Sequence, residues 1–109
     1  MSEVRTPAVE AKHIPDKEAF RDEYYQGRVP GSFRVTEQDE FGEITFWYCC
    51  PCGCKSIGPL TVGRGVKPNV EGVPTWNWNG SLEKPTLSPS VHHVGHWHGW
   101  LRNGVWESV

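Results

Sequence analysis

The stretch ITFWYCCPCGCKSIGPLTV, residues 44–62, decides the fold of this 109-residue chain. Apolar and polar side chains alternate on both sides of its centre, a pattern that predicts two β-strands. Cys49, Cys50, Cys52 and Cys54 all fall between these strands. We therefore expect a cysteine-rich turn that joins two neighbouring strands.

The cysteine turn has the composition of a metal site. Four thiols so close together cannot cross-link distant parts of a fold, and disulfides between them would close short, strained rings. Thiolates and imidazoles hold zinc in a tetrahedral shell, and the turn resembles a zinc knuckle. The sequence does not decide which of these cysteines bind the ion together. Cys49 and Cys52 have the familiar two-residue gap between zinc ligands, whereas a pair of Cys50 with Cys52 or Cys54 would place the proline inside the turn.

Histidines downstream supply the second half of the predicted site. His96 and His98 are two residues apart, so on a regular strand both rings point to one face, which suits chelation of a single ion. The adjacent His92 and His93 would point to opposite faces, and we do not expect them to bind the ion. The sequence therefore predicts a zinc clip between the cysteine turn and a C-terminal hairpin.

Composition limits the classes of function. The formal net charge is −2, with 11 basic and 13 acidic residues, which argues against a protein that binds nucleic acid through its phosphates. No apolar run approaches the roughly 18 residues of a membrane span, and the start does not resemble a secretory signal. We expect a cytoplasmic protein with no membrane association.

The rest of the chain predicts a mainly β fold with one helix. Residues 1–14 are interpreted as an extended arm, and residues 15–109 as a single zinc-binding domain. A helix is expected over residues 16–26, because Asp16 can cap its start and Gly27 suits its end. Alternating residues predict further strands, and Asn103-Gly104 predicts a two-residue type I′ hairpin. The predicted fold class is a small α+β domain whose antiparallel sheet or half-barrel carries a zinc-clipped turn.

Six tryptophans are unusual in so short a chain. We expect most of them to build the core, since each ring buries a large apolar area, and one or two to form an exposed contact patch.

Other groups offer weaker catalytic hypotheses. Ser88 and Ser90 precede His92 and His93, but they stand beside prolines and lack a Gly-x-Ser-x-Gly elbow, so hydroxyls that cap turns are the preferred interpretation. Glu43 or Glu83 could serve as a general base beside a zinc-bound water.

The order of motifs from about residue 44 to residue 107 resembles a family of small bacterial and phage proteins of unknown function. The shared motifs are Cys-Pro-Cys-Gly-Cys, Trp-Asn-Trp-Asn-Gly, Pro-Thr-Leu-Ser-Pro-Ser-Val and Trp-His-Gly-Trp-Leu-Arg-Asn-Gly-Val-Trp. Some members carry the label ammonia monooxygenase, which nothing in these residues supports.

The resemblance implies a zinc site and a biological setting. It assigns Cys50, Cys52 and Cys54 to the cysteine turn and His98 to the last histidine of the motif. Gly95 occupies the position of a further cysteine, and His96, the next residue, is its substitute. Some relatives lie in gene clusters that resemble ubiquitin-conjugation systems, which implies an accessory role there.

Together these observations predict a binding or adaptor protein with a structural zinc ion, a protein partner and no catalysis of its own. Two alternatives from other classes are a zinc-dependent hydrolase with an open coordination position and a single-stranded nucleic-acid binder. The oligomeric state is left open.

Overall fold

A computed structural model describes residues 5–22 and 28–109 of the chain. It confirms a mainly β fold with one short helix and a curled, half-barrel arrangement of strands. The elements in chain order are β1 (Val9–Glu10), β2 (Lys12–His13), α1 (Lys17–Arg21), β3 (Ser32–Val35), β4 (Ile44–Cys49), β5 (Ile57–Arg64), β6 (Thr75–Trp78), β7 (Leu87–Ser88), β8 (Val91–His93), β9 (Trp97–Arg102) and β10 (Val105–Ser108).

The strands form two sheets. Sheet B contains six strands in the order β2-β3-β4-β5-β6-β7, and sheet A contains four in the order β1-β10-β9-β8. Most neighbours are antiparallel, as expected, but β2 with β3 and β5 with β6 are parallel. The connection between β5 and β6, residues 65–74, contains two glycines and two prolines, and it returns the chain so that β6 runs parallel to β5.

The core lies between the two sheets. Sheet B contributes the stacked rings of Phe33 and Phe46, whose centroids are 4.9 Å apart. Sheet A contributes Trp97 and Trp106, which meet edge to face at 5.7 Å. The Trp106 indole N–H donates to the buried carbonyl of Gly31 at 2.9 Å and so joins the two sheets.

The tryptophans divide into two groups. Trp78, Trp97 and Trp106 are fully buried. Trp47, Trp76 and Trp100 are half-buried, so the core accounts for much of the tryptophan content and no ring is freely exposed.

The helix is shorter than predicted. Asp16 caps it as expected, since its carboxylate accepts from the Ala19 N–H at 3.1 Å. It ends at Arg21, because Asp22 already has extended backbone angles. Residues 23–27, which complete the predicted helix and include Tyr24 and Gly27, lie outside the described residues. The described part of the helix buries Phe20 against the outer face of sheet B.

Residues 9–13 belong to the predicted extended arm, and they contribute a strand to each sheet. β1 pairs with β10, and β2 pairs with β3. At the other end of the chain, Asn103 and Gly104 have φ angles of 49° and 76°, which confirms the predicted type I′ turn between β9 and β10. In the described parts of the chain, no helix has the length and apolar character needed to cross a membrane.

Candidate functional site

The cysteine turn connects β4 to β5, as predicted. The Cys50 N–H donates to the Ser56 carbonyl at 2.9 Å, and the Gly53 N–H donates to the Cys50 carbonyl at 3.2 Å. Gly53 has a φ of 88°, a conformation that glycine adopts without steric cost. These bonds fold the turn back on itself, and the Cys50 and Cys52 sulfurs lie 3.4 Å apart.

Two overlapping groups of metal-ligating side chains form around this turn. One contains Cys50, Cys54 and His93, and the other contains Cys52, Cys54 and His96; within each group the ligand atoms lie within 4.8 Å of one another. Two thiolates on one zinc ion lie at most about 4.6 Å apart, since each zinc–sulfur bond is about 2.3 Å long. Ligand atoms within 4.8 Å of one another are therefore close enough to meet on one ion after small side-chain movements. The cluster can therefore hold a metal ion.

The register of the β8–β9 hairpin explains why His93 joins the cysteines. His93 pairs with Trp97, and His92 pairs with His98. Since Trp97 is fully buried in the core, His93 points toward the same inner side, where Cys50 is also buried. The His96 N–H donates to the His93 carbonyl at 2.9 Å, and this tight turn stacks the two rings at 4.5 Å.

One atom of His93 matches the expected environment of a metal ligand. Its Nδ1 is buried and has no hydrogen-bond partner in the part of the chain that the structure describes. Burial, followed by the charge of His96, lowers the pKa of His93 and favours the neutral imidazole. Neutral imidazole is the form that binds metals.

The thiols differ in how readily they ionise. Burial raises the pKa of Cys49 to about 11, and burial also raises the pKa of Cys50. Burial alone would also raise the pKa of Cys54. Hydrogen bonds with the Ser56 side chain and backbone and with Cys52 have a larger, opposite effect, so the pKa of Cys54 is lowered. Cys54 belongs to both groups of ligands, and it is the thiol best prepared to be a thiolate.

His98 stands apart from the cysteines, although the sequence interpretation placed it in the zinc shell. It lies on the face of β9 opposite to Trp97, and it belongs to neither of the ligand groups that the described residues form. Its Nε2 instead lies 3.1 Å from the hydroxyl oxygen of Ser90. Its ring packs against that of His92, with centroids 4.5 Å apart.

Strand pairing brings Ser90 and His98 together. Ser90 directly precedes β8, and His92 faces His98 across the hairpin, so Ser90 is the diagonal neighbour of His98 on the same face. The Ser90 carbonyl accepts from the Trp76 indole N–H at 3.1 Å, which fixes the backbone beside the hydroxyl. Both side chains are half-buried, so the hydroxyl and the imidazole are partly exposed to solvent.

The sequence interpretation missed this pair because it matched Ser90 with the neighbouring histidines. The register of the hairpin, readable from the short turn between the VHH and WHG segments, was the available signal. Among the other predicted groups, Cys49 ends β4 fully buried and is in neither ligand group. Glu43 is held by the turn that precedes β4, where its N–H donates to Asp39, and Glu83 is exposed.

The two clusters share one hairpin. His93 and His96 stand at its turn, toward the cysteines, while Ser90 and His98 stand on the other face of its strands. The turn and the Ser90–His98 pair therefore belong to one structural unit, the β8–β9 hairpin.

A family described as BubE, bacterial ubiquitination-like system serine protease, matches residues 17–109. No curated protein and no solved structure matches the chain.

Proposed function

We propose that this chain, which belongs to the BubE family, is a serine peptidase in which Ser90 is the nucleophile and His98 the general base. The observation that carries the proposal is the 3.1 Å contact between Ser90 Oγ and His98 Nε2. A nucleophile and its base must lie within about 2.6–3.2 Å, and this pair does.

The pair supplies the steps of acyl transfer. His98 Nε2 accepts the proton of the Ser90 hydroxyl while Oγ attacks the carbonyl carbon of the scissile peptide bond. The amine then leaves with the proton that His98 returns to it, and an acyl ester remains on Ser90. Water, activated by the same imidazole, hydrolyses this ester and regenerates the hydroxyl.

The peptidase proposal replaces the non-catalytic adaptor that the sequence favoured. A turn-capping serine needs only a backbone partner, whereas the Ser90 hydroxyl contacts an imidazole on another strand. A system that resembles ubiquitin conjugation acts on proteins, so we propose a protein substrate in the cytoplasm rather than a nucleic acid.

Profiling of cleavage in a mixed library of synthetic peptides tests the activity. We expect Ser90→Ala to abolish cleavage, and Ser88→Ala to retain it, because Ser88 is exposed on β7 in the same segment. Equal activity of the two variants would remove Ser90 from the reaction.

We further propose that the cysteine turn holds a structural zinc ion. Cys50, Cys52 and Cys54 would supply the thiolates, and His93 or His96 the imidazole, because a closed tetrahedral shell needs four ligands and five are within reach. Support comes from the soft donor set, the ligand separations and the orphaned Nδ1 of His93. When bound, the ion would clip the β4–β5 turn to the β8–β9 turn.

Metal content measured by mass spectrometry of the purified protein tests this assignment. We expect about one zinc per chain, lost in Cys54→Ser and retained in Cys49→Ser and His98→Ala. Loss of zinc in His98→Ala would instead favour the shell that the sequence predicted.

A further inference from the structure

We propose that the outer face of sheet B carries a docking pocket for an acidic segment of a protein partner, separate from the Ser90–His98 pair. The pocket has a volume of about 510 Å³ and lies between α1 and the strands β3, β4 and β5. The principal residues around it are Lys17, Arg21, Arg28, Arg34, Trp47 and Ile57.

Strand register places this pocket away from the peptidase site. Arg34 pairs with Trp47, and their neighbours Phe33 and Phe46 point into the core, so Arg34 and Trp47 occupy the outer face of sheet B. Ser90 and His98 belong to the opposite sheet, on the side that faces away from the core. A ligand in the pocket therefore leaves the hydroxyl of Ser90 accessible.

The charge of the pocket is strongly positive, although the whole chain has a net charge of −2. Four of the described lining residues are cationic, and none of them is a carboxylate. Lys17 and Arg21 also border a shallower depression with Glu18 and Asp22, which offsets part of their charge. Arg28 and Arg34 therefore contribute most of the attraction for an anion.

Arg34 shows the environment of a ligand-binding cation. Its Nε is buried and has no hydrogen-bond partner among the described residues. A buried, unpaired guanidinium nitrogen is costly to the folded state, so its retention points to an anionic partner that satisfies it on binding.

Arg28 is held in place beside it. The Arg28 side chain donates to the carbonyls of Arg21 at 2.8 Å and Lys55 at 3.1 Å. These carbonyls are neutral, so they orient the guanidinium without cancelling its charge. Its backbone has a φ of 57°, a conformation that is uncommon outside glycine.

The apolar part of the pocket selects the kind of anion. Trp47 and Ile57 are half-buried and line the same space as the arginines. A free phosphate would leave this surface uncovered, whereas a glutamate or aspartate next to an aliphatic side chain would fill both parts. Arginine forks bind carboxylates through paired hydrogen bonds. The pocket thus fits an acidic polypeptide segment with an apolar anchor.

Fluorescence anisotropy with a labelled octapeptide of alternating glutamate and leucine tests the proposal. We expect the full chain to bind this peptide and not the matched peptide that has glutamine for glutamate. Arg34→Met and Arg28→Gln should each weaken binding about tenfold or more, the usual effect of losing charge-assisted hydrogen bonds. Arg5→Gln, at an exposed position outside the pocket, should bind like the parent.

Two further measurements separate peptide docking from a purely structural role of Arg34 and from nucleic-acid binding. The melting temperature of Arg34→Met should equal or exceed that of the parent, because the variant removes a buried Nε that has no hydrogen-bond partner among the described residues. A clear fall would make Arg34 a structural residue and overturn the proposal. Tighter, Arg34-dependent binding of a single-stranded oligonucleotide would also overturn it, as would absence of peptide binding. All binding is measured in Ser90→Ala as well, so the result does not depend on the peptidase proposal.

Discussion

At the scale of single residues, the chemistry depends on one hydroxyl and one imidazole. Ser90 directly precedes β8, and His98 lies within β9, so a strand pairing that also builds the core sets their distance. The proton on a histidine ring is placed by its surroundings. In the proposed reaction, His98 Nε2 accepts a hydrogen bond from the Ser90 hydroxyl, and His98 Nδ1 carries the ring proton.

Replacement of the proposed base gives the first residue-scale prediction. His98→Gln removes the proton acceptor while it keeps a polar side chain of similar reach. We expect peptide cleavage to fall about 10²–10⁴-fold, the usual contribution of general base catalysis, with little change in melting temperature. Peptide-cleavage rates and thermal melts of the variant measure both effects. A cleavage rate close to that of the parent would contradict the role of His98.

A second residue-scale prediction concerns acid stability. Burial lowers the pKa of His13, whose ring packs on Phe33 with centroids 5.3 Å apart. Well above pH 6.5 the ring is neutral in both the folded and the unfolded chain. Below pH 6.5 the unfolded chain binds the proton more readily, so the free energy of unfolding falls as the pH decreases until the folded ring also titrates.

Thermal melts between about pH 7.5 and pH 5 measure this effect. We expect His13→Gln to lose less stability on acidification than the parent chain, while Lys12→Gln, its exposed neighbour, should follow the parent. Identical pH dependence in all three proteins would show that His13 does not contribute.

At the scale of elements, the β8–β9 hairpin is the unit that links the two clusters. Its turn carries two imidazoles of the proposed metal site, and its strands position Ser90 and His98. The alternation of side chains along β8 and β9 separates them, with His93 on the inner face and His98 on the outer face.

Removal of the metal gives the element-scale prediction. A chelator should lower the melting temperature by about 10 °C or more, because the ion would join two turns that are distant in sequence. It should also slow peptide cleavage by loosening the hairpin, and added zinc should restore both properties. An unchanged melt would contradict a structural ion.

The same element shows how far the sequence could predict the site. The thiols of the turn were predictable from their spacing, since few other patterns place four cysteines in six residues. Among the histidines, His96 was predicted as a ligand and lies in one of the two ligand groups. His93 was not predicted, because the faces of these side chains depend on the register of a hairpin whose turn lies at residues 94–96. A prediction that treated His96 and His98 as one continuous strand assigned both to a single face, but β9 begins at Trp97.

At the scale of the whole molecule, a shared aromatic core holds the two sheets together. Local alternation predicted most strands, whereas the parallel pairing of β5 with β6 arises from a long connection that sequence periodicity does not describe. Trp106 belongs to sheet A, yet its indole N–H bonds the backbone at Gly31, just before β3 of sheet B. This contact between sheets depends on tertiary packing.

Substitution of this tryptophan gives the whole-molecule prediction. Trp106→Phe should lower the free energy of unfolding by about 2–4 kcal/mol, because it leaves a cavity and removes the partner of a buried carbonyl. Trp100→Phe should cost less than about 1 kcal/mol, since Trp100 is half-buried beneath Arg102. Denaturant titration measures both values, and equal losses would contradict the role assigned to Trp106.

Covalent labelling with a fluorophosphonate tests whether Ser90 is a nucleophile activated by His98. Such reagents react with activated serines, and the mass of the intact protein followed by peptide mapping identifies the modified residue. We predict one adduct, on Ser90, that is absent from Ser90→Ala, strongly reduced in His98→Gln and present in Ser88→Ala. An unlabelled parent chain, or an adduct that persists in Ser90→Ala, would show that Ser90 is not an activated nucleophile.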